Sequence, residues 1–288
     1  MPKQLEFPSS HFQSPLKPFL RWAGGKNRIT KLLAAYTPKT YNRYWEPFLG
    51  SAAMFFYLRP EKAILSDNNS ALVDCYNHVR DYPEKIYEKL KEHTKKNSEE
   101  HYYSVRVLYN KSKPSISQSA RFIYLNKTNF NGIFRVNTKG EYNVPYGYKK
   151  TLALPSYEDF LELSDLLKKA DIRHQPFESI EKNNLIREKD FVYFDPPYPP
   201  LTATAYFTHY TTERFLWADQ ERVAELAKKL AAKKCYVMIS NSDTTKIRKL
   251  YQGWYSFKLP VLRWVAANGS RIKVNEIIIT NYPKVEGV

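Results

Sequence analysis

Four consecutive apolar residues, Phe191-Val192-Tyr193-Phe194, stand between Asp190 and Asp195. A short apolar run with polar ends predicts a strand covered on both faces. Shorter or mixed runs at 44–48, 62–66, 235–240, 256–262 and 274–281 predict further strands, the last two paired at a sheet edge. The second of these ends at Asp67. Helical spacing of apolar positions covers 50–58, 72–95, 99–109, 116–127, 157–169 and 212–233. Strands alternating with helices predict an α/β layered sheet. Residues 69–156 interrupt the alternation with helices and a hairpin over 129–147, turning at Thr138-Lys139-Gly140. They read as an inserted, mainly helical domain. Residues 18–68 and 157–288 then form the main domain, and 1–17, rich in Pro and Ser, a loose tail.

Charge changes this picture most. Lys and Arg number 45 against 29 Asp and Glu, a formal +16, which points to a polyanion as partner. Half of that excess lies in residues 101–150, with nine basic side chains and one acid, Glu141, among ten aromatics. Basic residues interleaved with aromatics and asparagines suit phosphate contact, base stacking and base-edge hydrogen bonding. The chain's length of 288 residues allows a sizeable core. Two cysteines, Cys75 and Cys235, exclude a disulfide framework and a Cys-rich zinc site, and fit a reducing compartment. No signal peptide is visible at the N-terminus. No apolar run approaches the roughly 18 residues of a membrane helix. Six scattered histidines give no metal-ligand spacing.

The sharpest local chemistry is Asp195-Pro196-Pro197-Tyr198. In open α/β sheets ligands bind beyond the carboxyl ends of strands, where this segment falls. The prolines fix φ and remove two backbone donors, while Pro196 keeps its carbonyl. The Asp195 carboxylate, the Pro196 carbonyl and the Tyr198 ring form a rigid acceptor cluster beside an aromatic face. Such a cluster suits a planar group that donates two hydrogens, such as the exocyclic amine of a nucleobase. Holding both hydrogens favours a pyramidal nitrogen whose lone pair can meet an electrophile. Tyr198 would stack on a base that has left the helix.

With these residues in place, the chain resembles the Dam-type family of DNA adenine-N6 methyltransferases over roughly residues 18–283. The resemblance implies a Rossmann-like methyltransferase sheet with helices on both faces. It also implies S-adenosylmethionine as cofactor and duplex DNA as partner, with GATC as the target. PFLRWAGGK (18–26) resembles the family's first motif, so Trp22, Ala23, Gly24 and Lys26 are expected to hold the cofactor, together with Asp195. EPFLGSAAMFF (46–56) resembles the cofactor turn, with Phe48 and Gly50 against the methionine end. Ala52 stands where the family usually has its last glycine. Asp67 is expected on the ribose hydroxyls and Phe177 beside the adenine. Residues 126–150 are similar to the recognition hairpin of enzymes that methylate GATC. By that similarity Phe130 and Asn131 enter the duplex as the target leaves. Ile133, Arg135 and Pro145 read the outer bases, and Arg21 contacts the first guanine. Arg135 suits a guanine O6/N7 edge. The chain is one residue shorter after Gly147, where Tyr148 is also assigned to DNA. Asn268, Ser270 and Arg271 resemble phosphate contacts.

A cytosine-C5 enzyme would need a thiolate, and neither cysteine follows a Pro-Cys turn. Cytosine-N4 methylation shares the acceptor chemistry and is the nearest enzymatic rival. A DNA-binding protein without activity is the rival of another class, opposed by the intact Asp-Pro-Pro-Tyr. The expected setting is cytoplasmic, at the nucleoid, with no membrane, metal or obligate protein partner.

Overall fold

A computed structural model describes residues 16–149, 152–182, 184–199, 215–264 and 271–284, with backbone alone for 260–264 and 271–275. In chain order the elements are α1 (Thr30–Ala34), β1 (Tyr44–Glu46), α2 (Ala53–Leu58), β2 (Ala63–Asp67), α3 (Ser70–Asp81), α4 (Pro83–Lys95), α5 (Glu99–Lys111) and α6 (Ile116–Thr128). They continue with α7 (Tyr157–Leu167), β3 (Ala170–His174), α8 (Ser179–Lys182), β4 (Phe191–Phe194) and α9 (Trp217–Ala232). The last are β5 (Tyr236–Ser242), α10 (Thr245–Leu250), β6 (Tyr255–Trp264) and β7 (Arg271–Thr280).

The strands make one sheet in the order β3-β2-β1-β4-β5-β7-β6. The first five are parallel, and β7 runs antiparallel to β5 and β6. Alternation decides the faces, because successive side chains of a strand point to opposite sides. Tyr44, Leu65, Phe191, Tyr193, Met238 and Ile278 enter one apolar cluster. Trp45, Ile64, Val192, Phe194, Val237, Ile239, Ile277 and Ile279 enter the other, with Val223, Ala227 and Leu230 of α9. The first cluster is continuous from the sheet through α3–α7 into the 129–147 segment, taking in Val79, Tyr102, Ile123, Val144 and Phe160. The helices between β2 and β3 therefore rest on the sheet through shared apolar burial.

The observed elements correct several sequence expectations. The helix expected over 72–95 is two, because Pro83 lacks an N–H and sits at the first position of α4. The helix expected from Gly50 starts at Ala53, since Ala52 is left-handed at φ 54°. Glycine adopts that conformation without a Cβ clash, which is the physical reason for the family's preference there. The edge strand β3 has no counterpart among the expected strands. The long helix expected over 212–233 begins at Trp217, with 212–214 outside the described residues. The hairpin begins as a single 3-10 turn at Phe130–Gly132, and its ladder is two isolated bridges, Asn129 with Tyr146 and Val136 with Tyr142. Side chains replace the missing ladder. Asn129 Nδ2 donates to Ile133 O at 2.6 Å, and Asn137 Oδ1 accepts from Lys139 N and Glu141 N, both at 2.9 Å. The expected tail lies almost wholly outside the described residues.

Candidate active site

Strand order reverses between β1 and β4: β2 and β3 lie on one side, β5 on the other. A crevice opens at such a point, outside the carboxyl ends of the strands. Asp195 follows β4 directly, and the turn Gly50–Ala52 lies between β1 and α2. Sequence patterning thus delivers both candidate segments to one place.

Asp195 is 18% exposed and Lys26 5% exposed, and Lys26 Nζ lies 2.8 Å from Asp195 Oδ1. Lys26 Nζ also donates to Gly24 O at 2.6 Å and sits 4.7 Å from the centroid of the Tyr198 ring. Ser240 Oγ on β5 donates to the same Oδ1 at 2.7 Å. Its single hydrogen is then spent, so the Tyr193 hydroxyl, 2.9 Å away, donates to Ser240 Oγ. Burial pushes the Asp195 carboxyl up from its ordinary value, while Lys26 and Ser240 pull it back and Glu276 opposes them. The proline segment is braced from below. Gln220 Nε2 donates to Pro197 O at 2.7 Å, and Asn241 Nδ2 donates to Gln220 Oε1 at 2.9 Å. The Tyr198 hydroxyl donates to Glu276 Oε2 at 2.9 Å. Ser240, Gln220 and Glu276 are not among the residues singled out by sequence. Their only signal is a polar residue inside an otherwise apolar or periodic stretch.

Two more carboxyl groups line the strand ends. Asp67 accepts from Gly50 N at 3.1 Å through Oδ2 and from Asn69 N at 3.0 Å through Oδ1. Burial nevertheless pushes Asp67 up to about 6. Glu46, buried at the end of β1, accepts from the Tyr44 hydroxyl at 2.9 Å. Burial drives its carboxyl well above the usual range, against that hydrogen bond, and Asp195 and Asp67 add repulsion. Phe48 stacks on Phe177 at 5.2 Å between centroids, and Phe215 packs edge-on to Phe48 at 5.8 Å. Trp22 stacks on Phe134 of the hairpin at 5.8 Å and lies beside Gly50. It joins the cofactor segment to the hairpin. Ala23 and Gly24 form the turn before Lys26, with Gly25 N bonded to Trp22 O at 3.0 Å.

Of the expected DNA residues, Phe130, Asn131, Ile133, Arg135, Pro145 and Tyr148 belong to the hairpin segment or adjoin it, and Arg21 lies against it. Phe130 and Tyr148 are 52% and 73% exposed. Arg21, Asn131 and Pro145 are exposed, Ile133 and Arg135 half-buried. The Arg21 backbone is clamped to α6 by Asn126, which accepts from its N at 2.8 Å and donates to its O at 2.7 Å. Its guanidinium lies over Gly132, where a Cβ would stand 2.5 Å from Nε. Arg135 Nε donates to Asn143 Oδ1 at 2.8 Å, which aims the guanidinium across the hairpin. Burial, then Arg21, pull half-buried Lys127 down to about 8. Asn268 and Ser270 lie outside the described residues, and Arg271 opens β7 with its side chain outside them.

Cys75 and Cys235 are both buried, and burial raises both thiols, that of Cys235 to about 11. Neither is a ready thiolate. Among the described residues no three His, Cys, Asp or Glu side chains assemble as a metal set, and no helix is long and apolar enough to cross a membrane.

A mostly parallel sheet with an acidic crevice at its switch point and a basic, aromatic run of helices between β2 and β3 is a Rossmann-like methyltransferase architecture. The family model of D12 class N6 adenine-specific DNA methyltransferases matches residues 22–267, and the chain belongs to that family. It is an adenine-specific DNA methyltransferase. It is 37% identical over 272 residues to the Type II methyltransferase M1.LlaDCHI of Lactococcus lactis subsp. cremoris, covering 93% of this chain and 96% of that one. The Type II methyltransferase M.MjaIII of Methanocaldococcus jannaschii is 37% identical over 289 residues, 93% of this chain and 99% of its own. The DNA adenine methylase of Escherichia coli K12 is 36% identical over 273 residues, 93% and 96% of the two chains.

Proposed function

We propose that this enzyme moves the methyl group of S-adenosylmethionine onto N6 of an adenine swung out of duplex DNA, within GATC. The observation that carries the reading is the Asp195 carboxylate, fixed beyond β4 by Lys26 and Ser240 on Oδ1 and flanked by the Tyr198 ring. Oδ2 and the Pro196 carbonyl are then the acceptors for the two amine hydrogens. Acceptors set in place before the reaction favour the pyramidal nitrogen that attacks, without reorganisation during the step. Asp195 is also placed to take the proton that nitrogen sheds after transfer. Tyr198 offers its face to the extruded base.

The crevice fits the cofactor electrostatically. Glu46, Asp67 and Asp195 crowd three carboxyl groups at adjacent strand ends, each with its pKa raised by burial. A cation among them relieves that repulsion. When bound, S-adenosylmethionine supplies an electrophilic methyl on a positively charged sulfur. Asp67 suits the ribose hydroxyls, Phe48 and Phe177 the adenine, and Trp22, Ala23, Gly24, Gly50 and Lys26 the amino-acid end.

Residues 69–156 act in this reading as the DNA-recognition unit. Arg21 and Lys127 crowd two cations at the base of the hairpin, and Lys127 loses basicity for it. An anionic or electron-rich partner there relieves the repulsion. Phe130 and Asn131 fill the gap left by the base, and Ile133, Arg135, Pro145 and Tyr148 face the neighbouring pairs and backbone. Asn268, Ser270 and Arg271 rest on sequence resemblance to phosphate contacts. The similarity of the hairpin, and relatives named DNA adenine methylase, support GATC. The test is incubation with methyl-labelled cofactor and plasmid, followed by nucleoside digestion and mapping of the label. N6-methyladenine confined to GATC is expected. Label in N4-methylcytosine, or in adenine outside GATC, contradicts the reading.

A further inference from the structure

Glu276 occupies the interior of β7, paired with Ser242 of β5 and Leu259 of β6. Three isoleucines follow it, and its own side chain is 4% exposed. A carboxylate buried in a strand costs several kcal/mol unless hydrogen bonds satisfy it, so its partners define its purpose. One partner is the Tyr198 hydroxyl at 2.9 Å. The chain entering Tyr198 is already rigid. Pro196 and Pro197 fix their own φ, and Gln220 grips the Pro197 carbonyl at 2.7 Å. What rigidity of the main chain does not set is the direction of the Tyr198 ring. Its far end is tied by Glu276, and the Lys26 ammonium lies over the ring.

We propose that Glu276 is a positioning residue: it holds the Tyr198 hydroxyl so that the ring stands at the stacking distance beside Asp195 before the target base arrives. In this role Glu276 works through the Tyr198 hydroxyl, apart from its charge, which raises the Asp195 carboxyl. A ring fixed in advance loses no rotamer freedom on stacking, and that entropy is otherwise drawn from the binding of the flipped base. The inference rests on the stacking role proposed above for Tyr198.

The experiment is a double-mutant cycle on the full chain with Tyr198→Phe, Glu276→Ala and the pair, plus Glu276→Gln and Tyr198→Ala. Two readouts are taken on folded protein of checked melting temperature: the single-turnover methylation rate, and the fluorescence of 2-aminopurine at the target position. Tyr198→Phe and Glu276→Ala should each slow transfer and reduce the 2-aminopurine signal, on the order of tenfold for a lost hydrogen bond to a charged group. The pair should be no worse than either single variant. Glu276→Gln, whose amide oxygen still accepts from the hydroxyl, should recover most of the rate. Equal losses from Glu276→Ala in the wild-type and Tyr198→Phe backgrounds, or a Glu276→Gln variant as slow as Glu276→Ala, would overturn the role of Glu276. Full flipping and transfer by Tyr198→Ala would overturn the stacking reading itself.

Discussion

Gly147 closes the base of the hairpin, and replacing it with alanine tests whether that closure is needed to engage DNA. An added Cβ would stand 2.3 Å from Asn129 O, 2.6 Å from Asn129 C and 2.9 Å from Phe130 N. Real Cβ atoms essentially never come under 3.0 Å, so the two segments must part by at least 0.7 Å. The obstacle is backbone and has no rotamer to escape into. Two hydrogen bonds span this point, Gly147 N to Thr128 O and Phe130 N to Pro145 O, both 2.9 Å. At about 0.5–1.5 kcal/mol net each, their loss amounts to about 1–3 kcal/mol. The free protein relaxes by opening the hairpin, whereas the DNA-bound form must close it again. DNA affinity should therefore fall roughly 5- to 150-fold, since about 1.4 kcal/mol is tenfold. The assay is fluorescence anisotropy on a GATC duplex, with cofactor affinity measured beside it by calorimetry. Cofactor affinity should stay at the wild-type value, because the contacts disturbed at Gly147 are to Thr128, Asn129, Phe130 and Pro145 and none is to Lys26, Asp67 or Asp195. A Gly147→Ala protein that binds DNA within twofold of wild type would refute the reasoning.

Three other perturbations bear on separate parts of the account. Arg135→Ala should relax discrimination at one guanine by about 1–3 kcal/mol while sparing the others, read from rates on duplexes altered one pair at a time; unchanged ratios would remove Arg135 from base readout. Lys26→Met removes the cation that holds the Asp195 pKa down against burial. Transfer needs the ionised carboxylate and is lost as pH falls through its pKa, so the acid limb of the rate profile should move to higher pH, and an unmoved limb would count against the pairing. Asp67 titrates at about 6, raised by burial, and its ionised form is the better acceptor for ribose hydroxyls. Affinity for S-adenosylhomocysteine should thus be level above that pH and decline below it, by up to about tenfold per pH unit, and Asp67→Asn should flatten the profile.

What could be read in advance follows from where the energy lies. Phe191–Phe194 is legible because a strand buried on both faces must be apolar throughout, and its polar ends fall where the sheet stops. The edge strand β3, Ala170–His174, alternates buried and exposed positions over five residues, too short and too polar to announce itself. The short helices α1, α8 and α10 have under two turns of periodic signal. At 72–95 the apolar spacing continues through Tyr82-Pro83, so periodicity alone joins α3 to α4. Asp195, Pro196 and Tyr198 stand out as chemistry because their residue types are unusual where they stand, and Lys26 is found through the resemblance of its motif. The link between Lys26 and Asp195 does not, since 169 positions separate them in the chain. Ser240, Gln220 and Glu276 escape for the same reason: a polar residue in a strand or helix has meaning only once its distant partner in the chain is known. The hairpin is recognisable, but asparagine side chains support it in place of a ladder, and that substitution is invisible to an alternation pattern.

The central claim is that the Asp195 carboxylate holds the reacting amine. Asp195→Ala, assayed by single-turnover transfer to a GATC duplex with DNA binding followed in parallel, tests it most directly. The account predicts loss of transfer to background with DNA affinity largely retained, because Arg21 and the hairpin are untouched. Methyl transfer at a rate near that of the wild type would contradict it.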